Sequence, residues 1–107
     1  MIANTREIFF TARQFFAAEA YDMGLVNRVL PDQLFDTFIG DYATRIRENA
    51  PMTIASIKAI TQAVVQEPEQ RDQQQLAQMV QACFNSEDYI EGRRAFMEKR
   101  KPQFKGR

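Results

Sequence analysis

The sequence contains no histidine. That absence excludes Ser-His-Asp and Cys-His nucleophile systems and most zinc hydrolase sites, which need an imidazole as base or ligand. The single cysteine, Cys83, closes no intramolecular disulfide and builds no zinc cluster, which excludes a disulfide-framed secreted scaffold. The four glycines, Gly24, Gly40, Gly92 and Gly106, lie too far apart to form a phosphate-cradling loop. No apolar run approaches the roughly 18 residues that a membrane helix needs. Residues 1–15 mix charged and apolar side chains instead of showing the apolar centre of a signal peptide. A reducing, cytoplasmic setting with no membrane partner is the expectation. Any chemistry has to come from carboxylates, backbone amides, lysine or tyrosine.

The composition of what remains is that of an ordinary globular chain. With 107 residues, 45% hydrophobic and 26% charged, it fits one domain large enough to bury a core. Its formal net charge of zero conceals a dipolar distribution. Residues 93–107 hold seven bases against Glu98, a net of +6, and the preceding residues carry −6. The basic end raises four readings: a nucleic-acid tail, a membrane-surface patch, a solvated helix end, or part of a site for an anionic ligand. The acidic remainder, and the lack of aromatics interleaved with the bases, argue against nucleic acid.

Apolar periodicity predicts an all-α chain. Leu34, Phe35, Phe38, Ile39, Tyr42, Ala43 and Ile46 fall on one helical face, entered through Pro31 with Asp32 as N-cap. Pro51 suits the first turn of a second helix with Ile54, Ile57, Ile60, Val64 and Val65 along one side. After a break at Glu67-Pro68, a glutamine-rich third helix carries Leu76, Met79, Val80, Cys83 and Phe84, with Cys83 as a small core residue. Ser86 caps a fourth helix whose acids, Glu87 and Asp88, come first and whose bases accumulate toward Pro102, the order that the helix dipole favours. Upstream, residues 4–10 and 16–23 read as two short helices, the second ending at a left-handed Gly24. Residues 25–30 read as a brief extended stretch, with one isolated short strand at most. Phe9, Phe10, Phe15 and Phe16 are more than two short helices can bury between them, so later helices or another chain should cover them; an apolar ligand groove is the alternative. The chain thus divides into residues 1–31, connecting helices with a short extended segment, and residues 32–107, a helical region, within one domain.

Three blocks, "AAEAYDMGLVNRVLP" (17–31), "ENAPMTIASIK" (48–58) and "CFNSEDYIEGRRAFMEKRKPQF" (83–104), resemble in order the C-terminal part of the crotonase, or enoyl-CoA hydratase/isomerase, family. The first matches through Ala18-Glu19-Ala20 and Gly24-Leu25-Val26. The last matches through Ser86-Glu87-Asp88, Glu91-Gly92, Ala95-Phe96 and Glu98 to Pro102. The resemblance implies the C-terminal helical region of the crotonase fold, with residues 32–107 as the oligomerisation region of a trimer or hexamer. The spiral core, the oxyanion-hole amides and the catalytic glutamates of such enzymes have no counterpart in these 107 residues. No catalytic residue, no metal ligand and no covalently bound cofactor is therefore expected here, and the isolated chain is expected to be inactive.

The substrate implied for the complete enzyme is a coenzyme A thioester, a 2-enoyl-CoA that is hydrated. Lys99 matches a position where relatives place a lysine near the CoA phosphates, and a solvated helix-end lysine is the plain alternative. Where some relatives stack an aromatic on the cofactor, this chain has Val80. Glu87 and Glu91 share a helical face at i, i+4, but acids in a first turn are favoured by the dipole alone. Enoyl-CoA isomerisation and a stand-alone helical interaction module remain the other functional readings.

Overall fold

The computed structural model describes residues 2–107, and among them every regular element is helical. Helix α1 spans Ile2–Thr11, α2 Ala17–Asp22, α3 Asp32–Arg47, α4 Pro51–Val64, α5 Gln73–Phe84 and α6 Glu87–Glu98, with a 3-10 turn at Pro68–Gln70. The chain divides into two compact units within α3, one ending at Gly40 and the other covering Asp41–Arg107.

In the first unit the residues between α1 and α2 are organised by charge. Arg13 donates from Nε to Glu7 at 2.9 Å and from a terminal nitrogen to Glu19 at 3.0 Å, and its guanidinium lies 5.7 Å from the centre of the Phe15 ring. Glu19 also accepts the Phe16 amide at 3.1 Å, the half of a capping box that an N3 glutamate supplies. Phe16 has no side-chain acceptor to return the bond. The Glu19 carboxyl is held below its ordinary pKa, first by that amide and then by Arg13. Gly24 takes φ 73°, the left-handed turn expected after α2. Residues 25–30 form no strand, because no second strand is available among the described residues to share a ladder with them. Phe9, Phe10 and Phe16 remain 78–83% exposed.

In the second unit α5 packs against both α4 and α6. Pro51 stands in the first turn of α4, where its missing N–H costs nothing. Of the isoleucine-valine side of α4, only Ile60 falls on its least exposed face. Its least exposed residues are Met52, Ser56, Ala59, Ile60 and Ala63, whereas Ile57, Val64 and Val65 are exposed. Ser56 and Ala63 are the two buried residues of α4, and small side chains on a helix face permit close approach of a neighbour. The facing stripe of α5 is Leu76, Met79 and Cys83, capped by the Asp72 carboxylate on the Gln75 amide at 2.8 Å. The 16-residue α3 forms as its periodicity dictates, but Leu34, Phe35, Ile39, Tyr42 and Ile46 along its apolar stripe stay about half exposed. Asp32 is its first helical residue rather than its cap.

Candidate functional site

The residues singled out at the basic end come together around α6. Ser86 caps this helix, its Oγ accepting the Tyr89 amide at 3.0 Å and donating to the Cys83 carbonyl at 2.6 Å. The dipole-favoured acids Glu87 and Asp88 stand in the first turn, but no base stands in the last. The helix stops at Glu98, three residues short of the expected limit before Pro102. Lys99 is left-handed (φ 54°), its amide donating to Phe96 at 3.3 Å and the Arg100 amide to Ala95 at 3.1 Å. That pair of reversed bonds is a Schellman motif, and its left-handed position is normally glycine. Lys99 therefore lies outside α6, and its ammonium makes no ion pair among the described residues.

Beyond Lys99 the chain reverses and runs back along α6 as a strap, residues 100–107. The helix face beneath it is Asp88, Glu91, Gly92 and Ala95, spaced i, i+3, i+4, i+7, and it is the least exposed face of α6. Asp88, 4% exposed, accepts the Lys105 amide on one oxygen and the Gly106 amide on the other, both at 2.7 Å, while its own amide donates to the Arg107 carbonyl at 3.0 Å. Glu91 takes the Arg100 guanidinium in a fork at 2.6 and 3.0 Å and the Gln103 amide at 2.9 Å. The fork, with the Gln103 amide second, pulls the Glu91 carboxyl down from 4.5 to about 2 and raises the Arg100 pKa. Phe104 lies on Gly92, whose absent Cβ would meet the ring at 3.5 Å.

Glu91 is committed to Arg100 and Gln103, and Glu87 pairs with Arg107 at 3.1 Å. Glu91 holds the strap backbone, whereas Glu87 meets only the exposed side chain of the last residue. Helical spacing had brought them to notice, but the burial of Asp88 and its two amide donors were not legible in sequence. The available signal was the small pair Gly92 and Ala95 on the same face as two acids.

Beside the strap, α4, α5 and α6 enclose an apolar groove of about 660 Å³, lined by Ile57, Ile60, Val80, Phe84, Phe96 and Phe104 among others. Val80, 37% exposed, lines it without offering a ring to stack on. Phe84 and Tyr89 meet edge to face at 5.3 Å, and the free thiol of Cys83 is half-buried in the lining. Among the described residues no helix is long and apolar enough to cross a membrane.

The sequence profile of the enoyl-CoA hydratase/isomerase family matches residues 2–107. Methylmalonyl-CoA decarboxylase of Escherichia coli (strain K12) is 35% identical over 103 residues, covering 94% of this chain and 40% of that protein. A carnitinyl-CoA dehydratase of Citrobacter koseri is 34% identical over 109 residues, covering 98% and 42%. The crystal structure of enoyl-CoA hydratase subunit I from Geobacillus kaustophilus HTA426 superposes with a TM-score of 0.80 at 34% identity, covering 98% of this chain and 41% of that one. The chain thus spans about two fifths of the length of the curated relatives it matches. A profile match over nearly every residue, joined to an all-helical fold shared with a solved member, establishes that the chain belongs to the enoyl-CoA hydratase/isomerase family.

Proposed function

We propose that this chain is the helical C-terminal segment of a cytoplasmic enoyl-CoA hydratase-like enzyme, one that adds water to 2-enoyl-CoA thioesters in fatty-acid or related acyl-CoA metabolism. Its own contribution is subunit association and part of the rim that receives the CoA phosphates, with Lys99 as the phosphate-facing cation. The proton-moving carboxylates and the amides that stabilise a thioester oxyanion belong to the remainder of the complete enzyme. The observation that carries the reading is Lys99 itself: an ammonium with no ion pair among the described residues, held where glycine is the favoured residue, in a chain whose relatives are named for reactions of CoA thioesters. Strain retained at an exposed, charged position supports a functional role.

The test is titration of the purified chain with CoA, followed by amide chemical shifts, for the wild type and Lys99→Ala. Binding should weaken about fivefold in the variant, the loss of one partly screened charge contact. Equal binding by the two proteins, or none by the wild type, would remove Lys99 from the rim. No hydration of crotonyl-CoA is expected from this chain.

A second reading, another reaction on a CoA thioester, is favoured by the names of the relatives, one a decarboxylase and one a dehydratase. The helices then serve a shared ligand, and the reaction is chosen elsewhere in the enzyme.

A further inference from the structure

The strap is held to α6 by carboxylates more than by apolar burial. Its least exposed residues are Pro102 and Phe104, whereas three of its backbone amides are fixed by acids: that of Gln103 by Glu91, and those of Lys105 and Gly106 by Asp88. Its entry is fixed as well, because the Glu91 fork on Arg100 begins at the residue after Lys99. Glu98 completes the hold on Arg100 at 2.6 Å. Gly106 (φ 77°) brings the strap beside Pro51 at the start of α4. A left-handed lysine costs roughly 1–2 kcal/mol against a right-handed one, so without such an anchor the backbone at Lys99 would be free to relax into other conformations.

Resting on the rim reading above, we propose that Asp88 and Glu91 are positioning residues for CoA: two acids that strengthen the binding of a polyanion by clasping the strap and so fixing Lys99 at its origin. They act through the backbone and touch no ligand. The proposal has an unusual sign. Replacing an acid near a cationic rim raises the net charge by one, and Coulomb attraction alone then predicts tighter binding of a phosphate ligand. A clasp predicts weaker binding, because the lysine loses its fixed place and the ligand must pay to order it. Glu87 supplies the control. It carries the same charge on the same turn, but its pairing with Arg107 is two-thirds exposed on both sides and fixes no backbone amide of the strap.

The experiment titrates the full chain with CoA in four forms: wild type, Asp88→Asn, Glu91→Gln and Glu87→Gln. Hydrogen exchange of the Gln103, Lys105 and Gly106 amides is measured alongside, and protection of the Met79 and Val80 amides in α5 reports that each variant is folded. Asp88→Asn, which keeps a single acceptor oxygen, should release one of the Lys105 and Gly106 amides, Glu91→Gln should loosen the Gln103 amide, and each should weaken CoA binding about fivefold, because the ordering of Lys99 is lost and not a contact to the ligand. Glu87→Gln should bind as well as the wild type or slightly better. Equal or tighter binding by Asp88→Asn and Glu91→Gln, with their strap amides released, overturns the positioning role while leaving the rim reading standing. Unprotected strap amides in the wild type overturn the clasp itself. Absence of CoA binding by the wild type, with those amides protected, overturns the proposal through the rim reading on which it rests.

Discussion

Lys99 shows how one residue type in an unfavourable conformation separates stability from binding. Glycine occupies a left-handed C′ position without a Cβ clash, so Lys99→Gly should raise stability by about 0.5–1 kcal/mol in chemical denaturation while weakening CoA binding as Lys99→Ala does. A destabilised Lys99→Gly would mean that the side chain packs on the fold rather than reaching into solvent. Glu91 is the second such residue. Its folded pKa of about 2 lies below the ordinary 4.5, so folding favours the carboxylate, and the stability it contributes is fully present above about pH 4.5 and lost as pH falls toward 2. The thermal midpoint of the wild type should therefore drop more steeply across that window than that of Glu91→Gln. Parallel profiles would show that the fork with Arg100 is too well screened to matter. Both positions stood out in the sequence for charge and spacing, but neither the left-handed turn nor the fork could be read there. Each depends on a chain reversal that brings residue 100 back onto residue 91.

Among the elements, the helices were legible and their inward faces were not. The 3.6-residue period of apolar side chains located α3 to α6, and proline and serine marked where α4 and α6 begin. Periodicity grouped Ile54, Ile57, Ile60, Val64 and Val65 on one side of α4, of which only Ile60 is among the less exposed residues, whereas Ser56 and Ala63 are the buried ones. The face that packs is decided by how closely the neighbouring helix can approach, which favours small side chains over large ones wherever the large ones have no hole to fill. A pair of substitutions separates the two faces. Ala63→Leu should destabilise the chain by about 1–3 kcal/mol through overpacking against α5, whereas Val65→Ala, at a site 87% exposed, should change stability by less than about 0.5 kcal/mol. The reverse ranking in urea denaturation would restore the isoleucine-valine side as the core. On α6 the least exposed stripe is two acids, a glycine and an alanine, because the strap lies across them, its amides on the acids and the Phe104 ring on Gly92.

For the molecule as a whole, the apolar surface left uncovered is its main physical property. Among the described residues no large side chain is fully buried, and Phe9, Phe10, Phe16, Val65, Phe96 and Met97 are each more than three-quarters exposed. Surfaces of this kind favour association, since burial returns about 25 cal/mol per Å² of apolar area. Sedimentation across a range of concentrations should therefore show self-association that persists in high salt, which screens charge but not apolar contact. A compact monomer at every concentration would contradict it.

The sequence by itself determined the helical class, the positions of the helices, the concentration of positive charge at one end and the family. These follow from local periodicity, capping chemistry and motif order, all of which act over a few residues along the chain. Only the tertiary structure decided which helix faces pack, where α6 ends, and that Asp88 and Glu91 hold a returning strap instead of serving as free acids. The hold on the strap depends on groups 9 to 18 residues apart meeting at hydrogen-bond distance. No local pattern encodes that meeting, because it is settled by the competition between ordering the strap and satisfying a buried carboxylate.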